Sequence, residues 1–444
     1  MSITRRDFLN GVAITIAAGL TPLDLAKAAG NARAVIGEDY YPPQLTGLRG
    51  NHPGSFEMAH AIGRDHEKFS TDHLPIEEEY DLVIVGGGLS GLAAASFWHD
   101  LMGKESKVLV LDNHDDFGGH AKRNEFNAGG KKIIGYGGSE AFQSPTRNFS
   151  PVVNGLMSTV GVSVERMKQS FEVNFYPDLN LSRGVFFDKK NFGETKIVSG
   201  DPGRAVADDI PPDRLNGRSL EAFINDFPLS ESDRKAILDL YVNPQDYLKG
   251  MSVDEKTEWM DTHSYRDFLV EKVGLSKMAI MYFQQRTNDF FAIGIEGVSC
   301  GDARTCALPG MDKMGLPPLD EESLADLEEP YVYHLPDGNA GLARLIVRHL
   351  VPEALPGNTM EDSVTSRLNY QKLDHKDNST RIRLSSIVIN AANTDDGVVV
   401  TYVNDGKAHR VKGRKAIMAG YNMMIPYLVP ETPEEQKADL RLNV

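Results

Sequence analysis

The stretch "VIVGGGLSGLAAASFW", residues 83–98, runs from a continuous apolar segment into three glycines and then into an alanine-rich segment. A Leu-Val-Ile-Val run ended by glycine reads as a strand buried on both faces of a parallel sheet. Gly86, Gly88 and Gly91 then give the spacing G-x-G-x-x-G, followed by an alanine-rich helix. Each glycine has its own task. The first makes the tight turn, the second lets a pyrophosphate approach the backbone, and the third lets helix and strand pack closely. The helix N-terminus offers unpaired N–H groups and a positive dipole to phosphates. A second apolar run, "SKVLVLDN" (106–113), ends at Asp112, about 20 residues past Gly91, where an acid can bond the adenosine ribose. Strand, glycine turn, helix, strand and acid in register predict a dinucleotide-binding site.

The next segment, "DNHDDFGGHAKRNEF" (112–126), places Gly118 and Gly119 shortly after the acid. This resembles the flavoproteins that include amine oxidases and phytoene desaturases. There an acid is followed by a spaced glycine pair and then arginine, and the pair admits the FAD diphosphate and ribityl chain. The resemblance implies FAD as cofactor. His120 stands at the arginine position, with Lys122 and Arg123 close by, and which cation meets the phosphate stays open. The cluster "IIGYGGSEAFQSP" (133–145) contains Gly135, Gly137 and Gly138. In these flavoproteins a similar cluster abuts the isoalloxazine, which assigns Gly137 and Gly138 to the cofactor. A backbone group near Val388 is assigned to the adenine on the same ground.

From about 150 to 330 the glycine fingerprints stop, and segments such as "SLEAFINDF", "RKAILDLYV" and "SYRDFLVEKVGL" read as helices. Tyr282, Phe283, Phe290 and Phe291 read as core. Strands resume with "RIRLSSIVINAA", read as one strand. "GVVVTYVNDGKAHRV" follows as a hairpin turning at Asn404-Asp405-Gly406, and "KAIMAGYN" as a further strand. An apolar-periodic helix is predicted over Ala340–Leu350. The fold class is therefore α/β: a Rossmann-type, amine-oxidase-like FAD-binding domain with a mostly helical inserted substrate domain. The division is a leader at 1–28, a Pro/Gly/His-rich segment at 29–78, FAD domain at 79–150, the insertion at 151–330, and a return to the FAD domain at 331–444.

Four phrases resemble one family, the bacterial spermidine dehydrogenases: "YYPPQLTGLRGNHPGSFEMAHAIGRD" (40–65), "GYGGSEAFQSP" (135–145), "LPDGNAGLARLIVRHLVP" (335–352) and "AGYNMMIPYLVPE" (419–431). The resemblance implies oxidation of a C–N bond in a polyamine such as spermidine, with hydride passing to flavin and electrons to an unidentified acceptor. Two other readings stay open: a desaturase-like flavin oxidoreductase of the same fold, and a truncated flavoprotein without activity. The resemblance also predicts a closing Gly-Asp-bearing strand and helix. None follows Ala419, so the reading expects a family member that ends early. Glu140, Asp289 and Glu296 are carboxylates in suggestive segments, but no catalytic residue is assigned. His52 and His60 are available to a haem, and none is assigned.

The leader sets the expected compartment. Arg5 and Arg6 with Phe8 and Leu9 resemble a twin-arginine signal, followed by an apolar run over 11–20, Pro22, and Ala26-Lys27-Ala28 as a cleavage site. An ordinary secretory leader is the alternative. The run is too short to cross a bilayer as a mature helix. We therefore expect a periplasmic protein without a stable membrane span, partnered during export by the twin-arginine translocase. A net charge of −16 leaves no basic patch for nucleic acid. The two cysteines, Cys300 and Cys306, pair in an oxidising compartment or stay free and buried, and they are too few for a zinc cluster. No metal is expected.

Overall fold

A computed structural model describes residues 40–45, 52 and 54–442. The leader lies outside them, as does His52's preceding neighbour segment. The described chain forms two compact units: residues up to 141 with 151–163 and 334 onward, and residues 142–150 with 164–333.

The first unit is built on a six-stranded sheet. Its strands are β1 (Ile76–Val85), β2 (Val108–Leu111), β7 (Thr380–Arg383), β8 (Ser386–Thr394), β9 (Gly397–Asn404) and β10 (Lys407–Met418), in the order β7-β2-β1-β10-β9-β8. The hairpins β3 (Arg123–Ala128) with β4 (Lys131–Tyr136), and β5 (Gly184–Phe187) with β6 (Lys196–Ser199), stand apart. β7, β2, β1 and β10 run parallel, and β10, β9 and β8 antiparallel. Leu82, Val83 and Ile84 are fully buried, as the apolar run requires. Helix α1 (Leu89–Met102) crosses from β1 to β2, and helix α2 (Ala340–Leu350) packs against it, with the bounds the periodicity predicts.

Two strand expectations are corrected. "RIRLSSIVINAA" is not one strand. It breaks at Ser385, whose φ is +53°, and β7 and β8 join different neighbours. The chain spans at most about 11 Å between Arg383 and Ser386, whereas five strand spacings of a flat sheet would separate them by about 24 Å. The sheet therefore curls until β8 lies over β2, and Ser386 N–H donates to the Asp112 carbonyl at 2.7 Å. The layer so formed is a core containing Val83, Leu109, Leu111, Val388, Val400, Tyr402 and Val411. Nor is "KAIMAGYN" a separate strand. It continues the second arm of the hairpin as β10, which pairs with β9 over its first half and with β1 from Arg410 to its end. The turn itself is as read, with Asp405 and Gly406 both at positive φ between paired Asn404 and Lys407.

The second unit is mostly helical, including Leu220–Asn225, Glu231–Val242 and Val253–Thr262, but it also contains the β5–β6 hairpin, which the sequence reading did not separate from helix. Its core gathers Phe187, Phe223, Phe227, Phe268, Tyr282 and Phe283. Phe290 and Phe291 are corrected: they are 45% and 37% exposed, on a one-turn helix that ends at Ala292 in the left-handed region. Cys300 and Cys306 are both free. No described helix is long and apolar enough to cross a membrane.

Candidate functional site: a three-loop glycine cradle

The candidate site grows from the carboxyl ends of β1 and β2. Gly86 N–H donates to the Leu111 carbonyl at 2.8 Å, so the turn begins inside the sheet. Gly91 enters α1 pressed against that turn. A Cβ there would sit 1.9 Å from the Gly86 carbonyl oxygen, closer than any contact between non-bonded atoms allows. Its glycine is a packing requirement. Gly88 is different, because a Cβ would find its nearest neighbour, the Gly119 Cα, at 3.7 Å. The structure leaves the space over Gly88 open.

The second glycine pair closes on the first. Gly118 N–H donates to the Gly87 carbonyl at 2.8 Å, and Gly88 and Gly118 form an isolated parallel bridge. Gly118 has φ of +101°, and a Cβ would lie 2.3 Å from the Ala121 carbonyl oxygen. A Cβ on Gly119 would approach the Gly88 Cα to 3.2 Å. The third cluster is tied to the second by backbone: Gly137 N–H donates to the Lys122 carbonyl at 2.7 Å, and Gly138 N–H to the His120 carbonyl at 3.1 Å. His120 thus contributes its backbone to the assembly, and its side chain is exposed. Backbone bonds thus link the loops that carry Gly86, Gly88 and Gly91, Gly118 and Gly119, and Gly137 and Gly138 into one assembly.

Asp112 stands at its edge, buried, with Oδ2 accepting from Gly87 N–H at 2.7 Å and Oδ1 from His114 N–H at 2.8 Å. Burial pushes its carboxyl upward, while the Lys122 charge and these two N–H groups act downward. Val388 lies in the core beneath, paired with Tyr402, two residues along from the bond that joins Ser386 to Asp112.

Sequence reasoning missed three contributors. Gly87 reaches both partners, giving its N–H to Asp112 and its carbonyl to Gly118; the run of three glycines was the available signal. Asn339, just before α2, donates its N–H to the Ser139 carbonyl at 3.1 Å and its side-chain amide to Ser139 Oγ at 2.7 Å. It thereby fixes the end of the third glycine cluster. Arg123 is 2% exposed and forms ion pairs with Glu125 at 2.6 Å and Asp337 at 2.8 Å, while Tyr41 donates to Glu125 at 2.9 Å. Burial pushes Glu125 up, but Arg123 and the Tyr41 bond more than reverse it; Asp337, more deeply enclosed, stays raised. This network holds β3 just after Lys122, whose carbonyl meets Gly137. No local pattern announces it, since its members come from three separate segments.

The carboxylates considered for substrate ammonium groups fall in different units. Glu140 is half-buried in the first unit. Asp289 and Glu296 are exposed in the second, the latter bonded to Gln284. His52 is spent on the loop after Asp112, its Nε2 accepting the Asp115 N–H at 3.1 Å. Among the described residues no group of His, Cys, Asp and Glu could hold a metal ion.

Residues 84–156 match the family model of NAD(P)-binding Rossmann-like domains. The chain carries a Rossmann-like dinucleotide-binding domain. Over 54 residues, 12% of this chain and 7% of the relative, it is 50% identical to the oxidoreductase PigB of Serratia sp. (strain ATCC 39006). Among solved structures it is similar to wild-type putrescine oxidase bound to putrescine, at 16% identity and a TM-score of 0.39, and to a protoporphyrinogen oxidase described from Exiguobacterium sp. 255-15, at 15% and 0.44. Each likeness covers 82% of this chain and 63% of the other. Scores this low do not define a common overall architecture. The chain spans less than two thirds of the length of these relatives.

Proposed function

We propose that the chain is an FAD-dependent oxidoreductase that oxidises a C–N bond of a polyamine such as spermidine, in the periplasm after export by the twin-arginine route. The observation that carries the cofactor reading is the second glycine pair folded onto the first. A nicotinamide dinucleotide needs the loop at Gly86–Gly91 and an acid such as Asp112. The pressing of Gly118 and Gly119 onto Gly87 and Gly88, with Gly137 and Gly138 bonded behind them, extends the bare backbone surface beyond that need. The oxidoreductase reading is supported by the 50% identity with PigB. The polyamine reading rests on the four phrases that resemble spermidine dehydrogenases.

The residues present fit FAD. Asp112 would bond the adenosine ribose, the α1 N-terminus and Gly88 would receive the pyrophosphate, and Gly118 and Gly119 would pass the ribityl chain toward Gly137 and Gly138. Flavin, when bound, supplies the hydride acceptor. The protein's part is to hold that group against a rigid backbone wall, to exclude water and to present the substrate amine in its neutral form.

The test is an absorbance spectrum of the purified full chain, a fluorescence titration of the apoprotein with FAD and with NADH, and anaerobic addition of spermidine. Saturable FAD binding with bleaching by spermidine is the expected result. NADH binding without flavin binding overturns the cofactor reading, and retained flavin that spermidine does not bleach overturns the substrate reading.

A further inference from the structure

The far ends of α1 and α2 flank a cavity in the first unit, of about 570 Å3, lined by His99, Asp100, Lys104, Arg348 and His349 among others. α1 has 14 residues, so this cavity lies about 20 Å from the glycine loop at its other end. Its volume falls within the range of small-molecule sites, about 300–1,000 Å3.

Its lining gathers basic side chains in a chain that carries a net −16, whereas cations such as Lys235 and Lys372 take carboxylate partners, Asp239 and Glu353. Among the described residues, no carboxylate oxygen lies within 4.0 Å of Lys104, Arg348 or His349. Arg348 spends one Nη1 hydrogen bond on the Thr359 carbonyl at 2.9 Å, leaving its Nε and Nη2 edge uncommitted. His99 is already engaged at both ring nitrogens, by the Gly103 carbonyl and Thr380. Burial holds both Arg348 and His349 below their ordinary values. Asp100 is the one carboxylate in the lining, Asp362 acts on Arg348 from outside it, and the C-termini of α1 and α2 add only partial negative charge, screened within a turn. Two permanent cations, a titratable histidine and an open guanidinium edge thus face a concave space with one acid.

We propose that this cavity binds a small oxyanion bearing phosphate or carboxylate groups, at a site separate from the glycine cradle. An anion seated between Lys104 and Arg348 accepts from the free guanidinium edge, the geometry that suits both groups. It also favours a proton on His349, against the burial, Lys104 and His99 that now oppose one and with the Asp100 charge that supports it.

Calorimetric titration of the full chain at pH 7 with inorganic phosphate, and separately with citrate, tests the site and tells the two oxyanions apart. We expect saturable binding of at least one, with about tenfold weaker affinity in Lys104→Gln and in Arg348→Gln, and none of this loss in Lys235→Gln, which removes an exposed charge elsewhere. Repeating the titration in two buffers of different ionisation heat should show proton uptake that disappears in His349→Gln. Lys104 is exposed just past the end of α1, so its variant reports on binding even if Arg348→Gln perturbs the fold. Absence of saturable binding by both anions, or affinity unchanged in both the Lys104 and Arg348 variants, overturns the proposal.

Discussion

The amide of Gly118 donates to the carbonyl of Gly87 at 2.8 Å, joining two loops that the chain separates by a helix and a strand. That bond converts two glycine motifs into one surface, and it assigns unequal roles to residues that look alike in the sequence.

Gly88 and Gly91 should therefore fail in different ways. Gly91→Ala drives a methyl into the Gly86 carbonyl at 1.9 Å, and its cost should exceed the roughly 1–3 kcal/mol of ordinary overpacking. Gly88→Ala meets nothing closer than 3.7 Å, so its thermal melt should match the parent while dinucleotide affinity falls at least about tenfold. Paired melting curves and ligand titrations read the difference. Equal melting temperatures for the two variants would contradict the assignment.

Gly119→Val should weaken any dinucleotide, not FAD alone. Its φ is +63° and its side chain would press on the Gly88 Cα at 3.2 Å, so it disturbs the first loop as well as the second. Titrations with FAD and with NADH of this variant should show no selective loss; a variant that lost only FAD would show the loops to be mechanically independent.

Asp112→Ala removes the acceptor for two N–H groups, those of Gly87 and His114. We expect about 1–3 kcal/mol of lost stability from the stranded donors, together with weaker dinucleotide binding. Chemical denaturation of the ligand-free chain isolates the first effect, and an unchanged midpoint would mean that water satisfies both groups.

Arg123→Met leaves Glu125 and Asp337 buried without their shared cation. Breaking such a pair costs about 3–5 kcal/mol. Replacing Asp337 by Asn in the same chain should recover part of the loss, because one of the two stranded charges is gone; denaturation of the single and double variants measures it.

In the second unit, Asp208 accepts both Nη groups of Arg183 at 2.6 Å. Burial pushes its carboxyl up, but Arg183 and the N–H groups of Ile210 and Ala205 outweigh burial and leave it lowered. A lowered folded value means the unfolded chain, with Asp near 3.9, takes up a proton first. The stabilisation is present above about pH 4 and is lost as pH falls through the folded value. Asp208→Asn should therefore flatten the acid limb of a stability–pH profile below pH 4, with little change in its slope near neutrality.

Export is tested outside the described residues. Residues 1–35 fused to a reporter should direct periplasmic activity that vanishes when Arg5 and Arg6 become Lys; export persisting without the twin-arginine translocase would indicate the ordinary secretory route.

The sequence by itself determined those features whose cause is local. The glycine spacing at 86–91, the acid at 112, the period of Ala340–Leu350 and the Asp405-Gly406 turn each follow from backbone sterics or side-chain periodicity within a few residues. Tertiary structure alone decided the rest. Nothing near Ser385 says that the strand before it and the strand after it take different partners, because that choice lies with β2 and β9. Nothing near Phe290 and Phe291 says that a one-turn helix leaves them facing solvent. The Arg123 network and the seat of Asp112 against Gly87 depend on segments distant in the chain being brought together by strand pairing and packing. A composition or a period records which residues want burial or a turn; it carries no record of which distant backbone will stand opposite them.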